Sequence, residues 1–549
     1  MLTLLLIIPL IGCLFIIPIK EIELNKSIAV SSTTENNLNI KEDLEYIEIS
    51  QNNELTSVSP VQTIDNNPSN NLRMKQIALL ASVINLLLSI VLWIQFDSSS
   101  TQYQFVEEYT GLTHFFSSYT SFTDINKETI IQSLPFLHFY VGIDGISVYF
   151  VLLTTFITPV CILSNWTDIN KNLKYYLISF LILETLQIAV FVVLDLLLFY
   201  IFFESVLIPL FLIIGIWGSG YSRIRAAFLL FLYTLFGSLW MLLAILVIYY
   251  NYGSTDMQLI SLKEITLESQ KWLWLAFFIS FAFKTPLFPF HIWLSWAHSS
   301  APLGGSIILA SIILKLATYG YLRIMLPILP DATQFFSPLV QTIAIVTLIY
   351  ASLATIRQID LKGIVAMSSI AHMSIVVLGI FSNNQQGIEG AILLSIAHGF
   401  VSPALFICVG GILYTRYHTR TINYFRGIAL TMPLFTIMFF VFTLANMGVP
   451  LTLNWAGEFL ALAGTFQRNP IIGSLGATGI FFSAVYSIWM YNRISYGQYS
   501  KYLGVTSDIN RREFFLLFTL LIPTLALGII PNIILNSIHL SVSNILYIV

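Results

Sequence analysis

Six side chains able to exchange protons sit where few such groups are found. Glu204, Lys284, Lys315, His372, His398 and Glu458 each lie near the middle of a long apolar run. An ionisable group at that depth in hydrocarbon costs several kcal/mol unless it is paired or hydrated, so it is a functional candidate by default. A single Glu–Lys pair reads equally well as a staple between helices, and a single buried histidine as a packing residue. Six groups on separate runs, alternating acid, base and imidazole, fit a different chemistry: a chain of proton-exchanging stations bridged by water. Desolvation lowers a lysine's affinity for its proton and a nearby carboxylate restores it. A Glu204–Lys284 pair that opens and closes would therefore switch Lys284 between holding and releasing a proton. Lys315 could take it up, and His372 and His398 could relay it, because both imidazole protonation states are accessible. Glu458 would be the last station.

The elements that must position these groups follow from composition. Of 549 residues, 56% are hydrophobic and 10% charged, with a mean hydropathy of +0.81. Soluble domains carry about 25% charged residues, so the chain is an integral membrane protein. About 20 apolar residues cross a bilayer. Fourteen such runs are predicted, near 2–18, 74–96, 144–165, 174–194, 195–216, 226–251, 272–294, 303–329, 337–356, 363–381, 388–413, 429–452, 474–495 and 513–533, the twelfth resuming past a break to about 466. No alternating barrel pattern occurs, so the predicted fold is an all-α polytopic bundle. The first run lacks a small-residue cleavage site and reads as a retained helix.

Two runs are interrupted. In "FKTPLFPFHIW", Pro286 and Pro289 lack the N–H groups that the carbonyls of Ala282 and Thr285 would otherwise bind. In "ANMGVPLTLNWAGEF", Gly448 and Pro450 repeat the device just before Glu458. The breaks fall five helices apart, and a five-helix unit that repeats must invert. Paired broken helices in an inverted repeat mark the conduction site of a transporter. The freed carbonyls beside Lys284 would hold water.

Charge placement sets the orientation. The short loops of one side hold thirteen basic residues (Lys171, Lys174, Arg223, Arg225, Arg357, Lys362, Arg416, Arg420, Arg426, Arg493, Lys501, Arg511 and Arg512); the other side holds five (Lys127, Lys263, Lys271, Arg323 and Arg468). By the positive-inside rule both termini face outward. Residues 20–72 carry nine acids and ten asparagines and read as a disordered loop without a catalytic role.

Other polar residues carry weaker expectations. Glu184, mid-way in the fourth run, is a further proton site of second rank. His291 and His298, just beyond the first break, fit water or helix-end contacts better than relay. Asp144 suits a helix N-cap. Arg357, Asp360 and Lys362 read as a solvated charged turn. The three cysteines are far apart and no CxxC or CxxCH occurs, which argues against an Fe–S cluster or covalent haem. GxGxxG and GxxxxGK[ST] are also missing, so no nucleotide site is encoded. No cofactor, metal or nucleic acid is expected on this chain.

The stretch "FKTPLFPFHIWLSWAHSSAPLGGSIILASIILKLATYGYLR" closely resembles the core of the antiporter-like membrane subunits of respiratory complex I. "IDGISVYFVLLTTFITP", "FYIFFESVLIPLFLIIGIWG", "RQIDLKGIVAMSSIAHMSIVVLGIFS" and "LANMGVPLTLNWAGEFLAL" resemble the same family in the same order, covering the third to twelfth helices. Within it, "AHSSAPLGGS" and "FFESVLIP" are more similar to chain 4-type subunits than to chain 2 or chain 5 types. The resemblance implies a proton-translocating subunit of NADH:ubiquinone oxidoreductase with no redox centre of its own. Glu204 and Lys284 would be the coupling pair, Lys315 the central lysine, His372 and His398 the connecting histidines, and Glu458 the terminal carboxylate. The runs and breaks divide the chain into five-helix repeats at 173–329 and 337–497, preceded by a first helix (1–19), a polar insert (20–73) with no counterpart in the family and a unit at 74–172, and followed by a last helix with a short tail (498–549). NADH, FMN, Fe–S clusters and ubiquinone would belong to the wider complex. The partners would be other membrane subunits, including chain 2-like and chain 5-like ones, and lipid; the site would be the mitochondrial inner membrane, with both termini toward the intermembrane space. An Mrp-type cation/proton antiporter subunit shares the same core and is the alternative.

Overall fold

The computed structural model describes residues 1–21, 68–109, 139–169 and 171–548. The insert expected to be disordered lies almost wholly outside the described residues. The chain opens with α1 (Leu2–Ile16) and α2 (Pro68–Gln95), then a hairpin of β1 (Gln104–Tyr109) and β2 (Phe139–Ile143). Next come α3 (Gly145–Ser164), α4 (Leu173–Val192), α5 (Leu196–Trp217) and α6 (Arg223–Tyr252). The first broken element is α7 (Leu267–Lys284) with α8 (Ile292–Ser300), followed by α9 (Leu303–Ile328), α10 (Pro330–Arg357), α11 (Leu361–Ile380) and α12 (Gln385–Tyr417). The second is α13 (Pro433–Asn446) with α14 (Leu453–Arg468). Then follow α15 (Pro470–Ser495), α16 (Arg511–Ile529) and α17 (Asn532–Ile548).

Among the described residues, eleven helices are long and apolar enough to cross a membrane. Two more, α1 and α13, are apolar but shorter. The bundle is the expected polytopic α-helical membrane fold; the seventh and twelfth expected runs are each split into two shorter helices, so the described spans do not reproduce the count of fourteen one for one. The β1–β2 hairpin and α17 were not foreseen in that plan.

Local sequence fixes where several helices begin. Asp144 accepts from Ser147 N at 2.9 Å while Ser147 Oγ receives the Asp144 N–H, a reciprocal cap for α3. Asp195 caps α5 through Leu197 N and Leu198 N, at 2.9 and 3.0 Å. Asn384 caps α12 through Gly387 N at 2.8 Å. Burial then sorts the helices. α9, α11 and α12 are enclosed nearly all round, whereas α2, α6 and α16 expose mid-helix side chains such as Leu87, Leu243 and Phe518. An apolar outer face is what lipid contact requires.

The enclosed helices pack closely because small residues line them. α14 lies along α12, where Gly457 meets the backbone of Leu394 and Gly390 that of Leu460 and Ala461. Close approach over small residues is the usual way membrane helices associate. α9 and α12 also contain π-helical turns, at Leu309–Ile313, Tyr321–Met325 and Ile407–Leu413.

Both predicted breaks are present. α7 ends at Lys284, and regular helix resumes only at Ile292, across a cis Phe288–Pro289 bond. α13 ends at Asn446 and α14 begins at Leu453, with Gly448 at φ +73° and Leu451 at φ +77° between them. One detail differs from expectation. The Ala282 carbonyl is not left free: Leu287 N reaches it at 2.9 Å, one residue beyond the α-helical partner. The neighbouring Phe283 carbonyl accepts from Trp293 Nε1 at 2.8 Å. The break folds back on itself and satisfies these groups internally.

Candidate functional site: a buried file of lysine, histidine and glutamate

Four of the six candidate residues line up in one file through the enclosed helices. Lys315, on α9, is fully buried, and its Nζ lies 2.7 Å from His398 Nδ1 on α12. The same Nζ donates to the Ala310 carbonyl at 2.6 Å. Ala310 sits in the π turn Leu309–Ile313, where the wider winding leaves a carbonyl available to a side chain five residues on. The ring centroids of His398 and His372, on α11, are 5.8 Å apart. His372 Nδ1 then lies 2.8 Å from Glu458 Oε1 on α14. Tyr486 on α15 approaches the other His372 nitrogen at 3.5 Å. Four helices thus each contribute one proton-exchanging group, all almost fully buried.

Glu204 and Lys284 stand apart from that file. They occupy neighbouring helices, α5 and α7, within each other's electrostatic reach, yet no direct ion pair joins them. Lys284 Nζ instead donates to the carbonyl of Phe203, the residue before Glu204, at 2.8 Å and lies 3.3 Å from the Phe203 ring centroid. Burial of Phe281 and Phe283 on α7 against Gly320 and Gly237 fixes this end of the helix. Among the described residues, no hydrogen bond links Lys284 to Lys315.

The second-rank residues divide. Glu184 is fully buried on α4, where one carboxylate oxygen accepts from Asn85 Nδ2 on α2 at 2.7 Å. Among the described residues, no hydrogen bond joins it to the file. His291 packs against Phe288 and Tyr350 in the break. His298 is fully buried and stacked on Phe406 at 4.6 Å, and neither ring nitrogen has a partner among the described residues.

Two basic residues counted as loop charges belong inside. Lys362 is not in a solvated turn: its side chain is buried, with Nζ donating to the Ala301 carbonyl at 2.9 Å and to Ser306 Oγ at 3.2 Å. The adjacent Asp360 caps α11 through Lys362 N at 3.1 Å. Burial raises the Asp360 carboxyl above the usual carboxylate range, with Arg420 pulling it back. Arg323, near the other end of α9, is also buried and pairs with Asp144 at 2.7 Å beside Tyr103 and Tyr319. "DLK" after a helix end reads like any capped turn, so the sequence carries no signal that α11 starts beneath α8.

Comparison with known proteins follows this geometry. Residues 193–485 match the family described as NADH:quinone oxidoreductase/Mrp antiporter, transmembrane region. NADH-ubiquinone oxidoreductase chain 4 of Mycosarcoma maydis is 66% identical over 475 residues, covering 86% of this chain and 94% of that protein. The Arabidopsis thaliana protein of the same name is 50% identical over 481 residues, 87% of this chain and 92% of its own. A chain in the structure of respiratory complex I from Thermus thermophilus with bound NADH superposes with a TM-score of 0.76 at 25% identity, covering 86% of this chain and 95% of that one. By matched length, identity and fold together, the chain belongs to the NADH:quinone oxidoreductase/Mrp antiporter family, in its NADH-ubiquinone oxidoreductase chain 4 branch.

Proposed function

We propose that this chain is a proton-translocating membrane subunit of NADH:ubiquinone oxidoreductase, moving protons along Glu204, Lys284, Lys315, His398, His372 and Glu458 while quinone is reduced elsewhere in the complex. The observation that supports the reading is the alignment of Lys315, His398, His372 and Glu458 from four helices, with hydrogen-bond distances at both ends and the two imidazole centroids 5.8 Å apart between them. Each member can hold or release a proton, and lone buried charges of this kind have no structural advantage over apolar packing. Glu204 and Lys284 are the coupling pair: opening and closing their approach alters how tightly Lys284 holds its proton. NADH, FMN, Fe–S clusters and ubiquinone reside in other subunits. The chain sits in the mitochondrial inner membrane beside other membrane subunits, among them chain 2-like and chain 5-like ones. Its working units are the five-helix segments 173–329 and 337–497, each with one broken helix.

The deciding experiment is at Lys315. In the assembled complex, Lys315→Met should abolish proton pumping and slow quinone-coupled turnover. Lys315→Arg should rescue poorly, because a guanidinium does not give up its proton. Assembled Lys315→Met enzyme that pumps normally would remove the file from the mechanism.

A further inference from the structure

A groove of about 710 Å³ opens between α1 and α2 where the two helices reach the basic face. Phe15 and Ile19, at the end of α1 and just past it, form its apolar floor with Ile77 and Leu80 of α2. Lys20, Asn70, Arg73 and Gln76 form its polar rim. Neighbouring contacts fix its level. Lys75 Nζ donates to the Trp166 carbonyl beyond the end of α3 at 2.5 Å, and Lys174 at the start of α4 donates to the Ile17 carbonyl. Lys75 Nζ also lies 5.8 Å from the centroid of the half-buried Trp166 ring, a pairing suited to headgroup depth. None of the six residues of the proposed pathway lines this groove.

Charge and residue order distinguish the groove from a bare lipid-facing surface. Glu21, the acid next to Lys20, is spent on the start of α4, where it accepts from Leu173 N and Lys174 N. Lys20 and Arg73 are exposed, and among the described residues neither has a carboxylate partner. None of the described lining residues is acidic. Asn70 Nδ2 reaches the Lys20 carbonyl at 3.5 Å, so the two cations stand on adjoining segments of one rim. Along α2, Asn70, Arg73, Ile77, Leu80, Ile84 and Leu87 recur three or four residues apart and share one stripe. That stripe is polar at the basic end and apolar below, with Leu80, Ile84 and Leu87 exposed. Ile7, Ile11 and Phe15 form an exposed apolar stripe on α1. From Arg73 to Leu80 the helix descends about 10 Å, from headgroup level into hydrocarbon.

We propose that this groove binds one anionic phospholipid, with its phosphodiester held by Lys20 and Arg73 and an acyl chain laid along Ile77, Leu80 and Ile84. The groove matches a lipid end to end: cations and amides at headgroup level, then unbroken apolar surface. The guanidinium fork of Arg73 suits two phosphate oxygens, and the Lys20 ammonium adds a mobile point charge. Asn70 and Gln76 can serve any headgroup, but two cations without carboxylate partners favour one with net negative charge. Basic pockets between membrane helices on the negative-compartment side are where such headgroups gather. The bound lipid bridges α1 and α2 at the end where α1 stops. The inference is independent of the proton pathway, since neither helix carries a member of it.

The test uses the whole complex, purified in detergent and washed, with its phospholipids counted by quantitative mass spectrometry. The double variant Lys20→Gln/Arg73→Gln should lose one anionic phospholipid per complex relative to wild type, with zwitterionic lipid unchanged. Leu80→Trp keeps both cations and fills the apolar floor, and should lose the same lipid. Loss in only one of these variants reduces the groove to a diffuse charge or a bare apolar surface, and that result, like loss in neither, overturns the site. A second measurement needs no variant. Photoactivatable phosphatidylglycerol, supplied to the wild-type complex in phosphatidylcholine nanodiscs, should label residues 15–20 and 70–84 several-fold more than photoactivatable phosphatidylcholine does. Equal labelling by the two lipids overturns the proposal. So does absence of labelling, the result expected if the acid-rich segment 22–67 of this chain or a neighbouring subunit covers the groove.

Discussion

At the scale of single residues, Glu458 shows how a break and a charge are built together. One oxygen accepts from His372 at 2.8 Å, and the other faces Gly448, where a Cβ would stand 2.7 Å away. Gly448 also has φ +73°, a conformation that costs a residue bearing a Cβ roughly 1–2 kcal/mol. Gly448→Ala should therefore do two things: lower the thermal inactivation midpoint of the complex, and push the carboxylate off His372 so that pumping falls further than stability explains. Pro450→Ala, which brings no atom toward Glu458, is the control. Equal behaviour of the two variants would reduce Gly448 to an ordinary turn residue. The residue types of the file were readable in the sequence because an acid, a base and an imidazole in hydrocarbon are conspicuous. Lys362 was not, because its neighbours Arg357 and Asp360 give it the look of a solvated turn. Its burial depends on α8 and α12 closing over it, a contact between segments far apart in sequence.

At the scale of elements, hydropathy gave the helices and proline and glycine gave the breaks, since both signals are local. The π turns and the path of the tail are not local. Residues after α16 read as a short tail, but α17 lies across the ends of α3, α9 and α12. Its Ser541 Oγ receives the Gly145 N–H at 3.1 Å, Ser537 Oγ meets Tyr149 OH at 2.6 Å, and His539 contacts Glu389 at 2.8 Å. These bonds unite the start of the third helix with the start of the twelfth, so α17 acts as a strap. Its polar residues fall in two groups, Asn532, Asn536, His539 and Ser543 on one side and Ser537, Ser541 and Asn544 on another, and their spacing is silent about what the helix straps. Truncation after Pro531 should leave the bundle inserted while markedly reducing the yield and thermal stability of the assembled complex. His539→Ala should change stability by less than about 1 kcal/mol, because that histidine is more than half exposed and exposed pairs contribute little. Full stability of the truncated chain, compared by native electrophoresis and thermal inactivation, would show that α17 is dispensable.

At the scale of the whole molecule, the direction of transport depends on which face is which. Two independent features bear on it. The first is the excess of basic residues in the loops of one side, thirteen against five by position in the sequence; two of these, Lys362 and Arg323, prove to be buried, one from each side, so the asymmetry survives their removal. The second is physical grouping: the amino terminus pairs with Glu107 of the β1–β2 hairpin, and α17 packs on the starts of α3 and α12, so both ends of the chain gather on the face away from the Arg416–Glu513 pair. The positive-inside rule puts the basic face in the negative compartment, and we infer that protons fill the file there and leave on the side of the two termini. A peptide tag after Val549 should then be reached by antibody or protease only from the intermembrane-space side, while cleavage within 498–509 should require access from the matrix. Both sites opening to the same compartment would break the alternation of crossings on which the fold depends. The two sites exchanged would leave the fold intact and reverse the path of the proton, making the Glu458 end of the file the point of uptake.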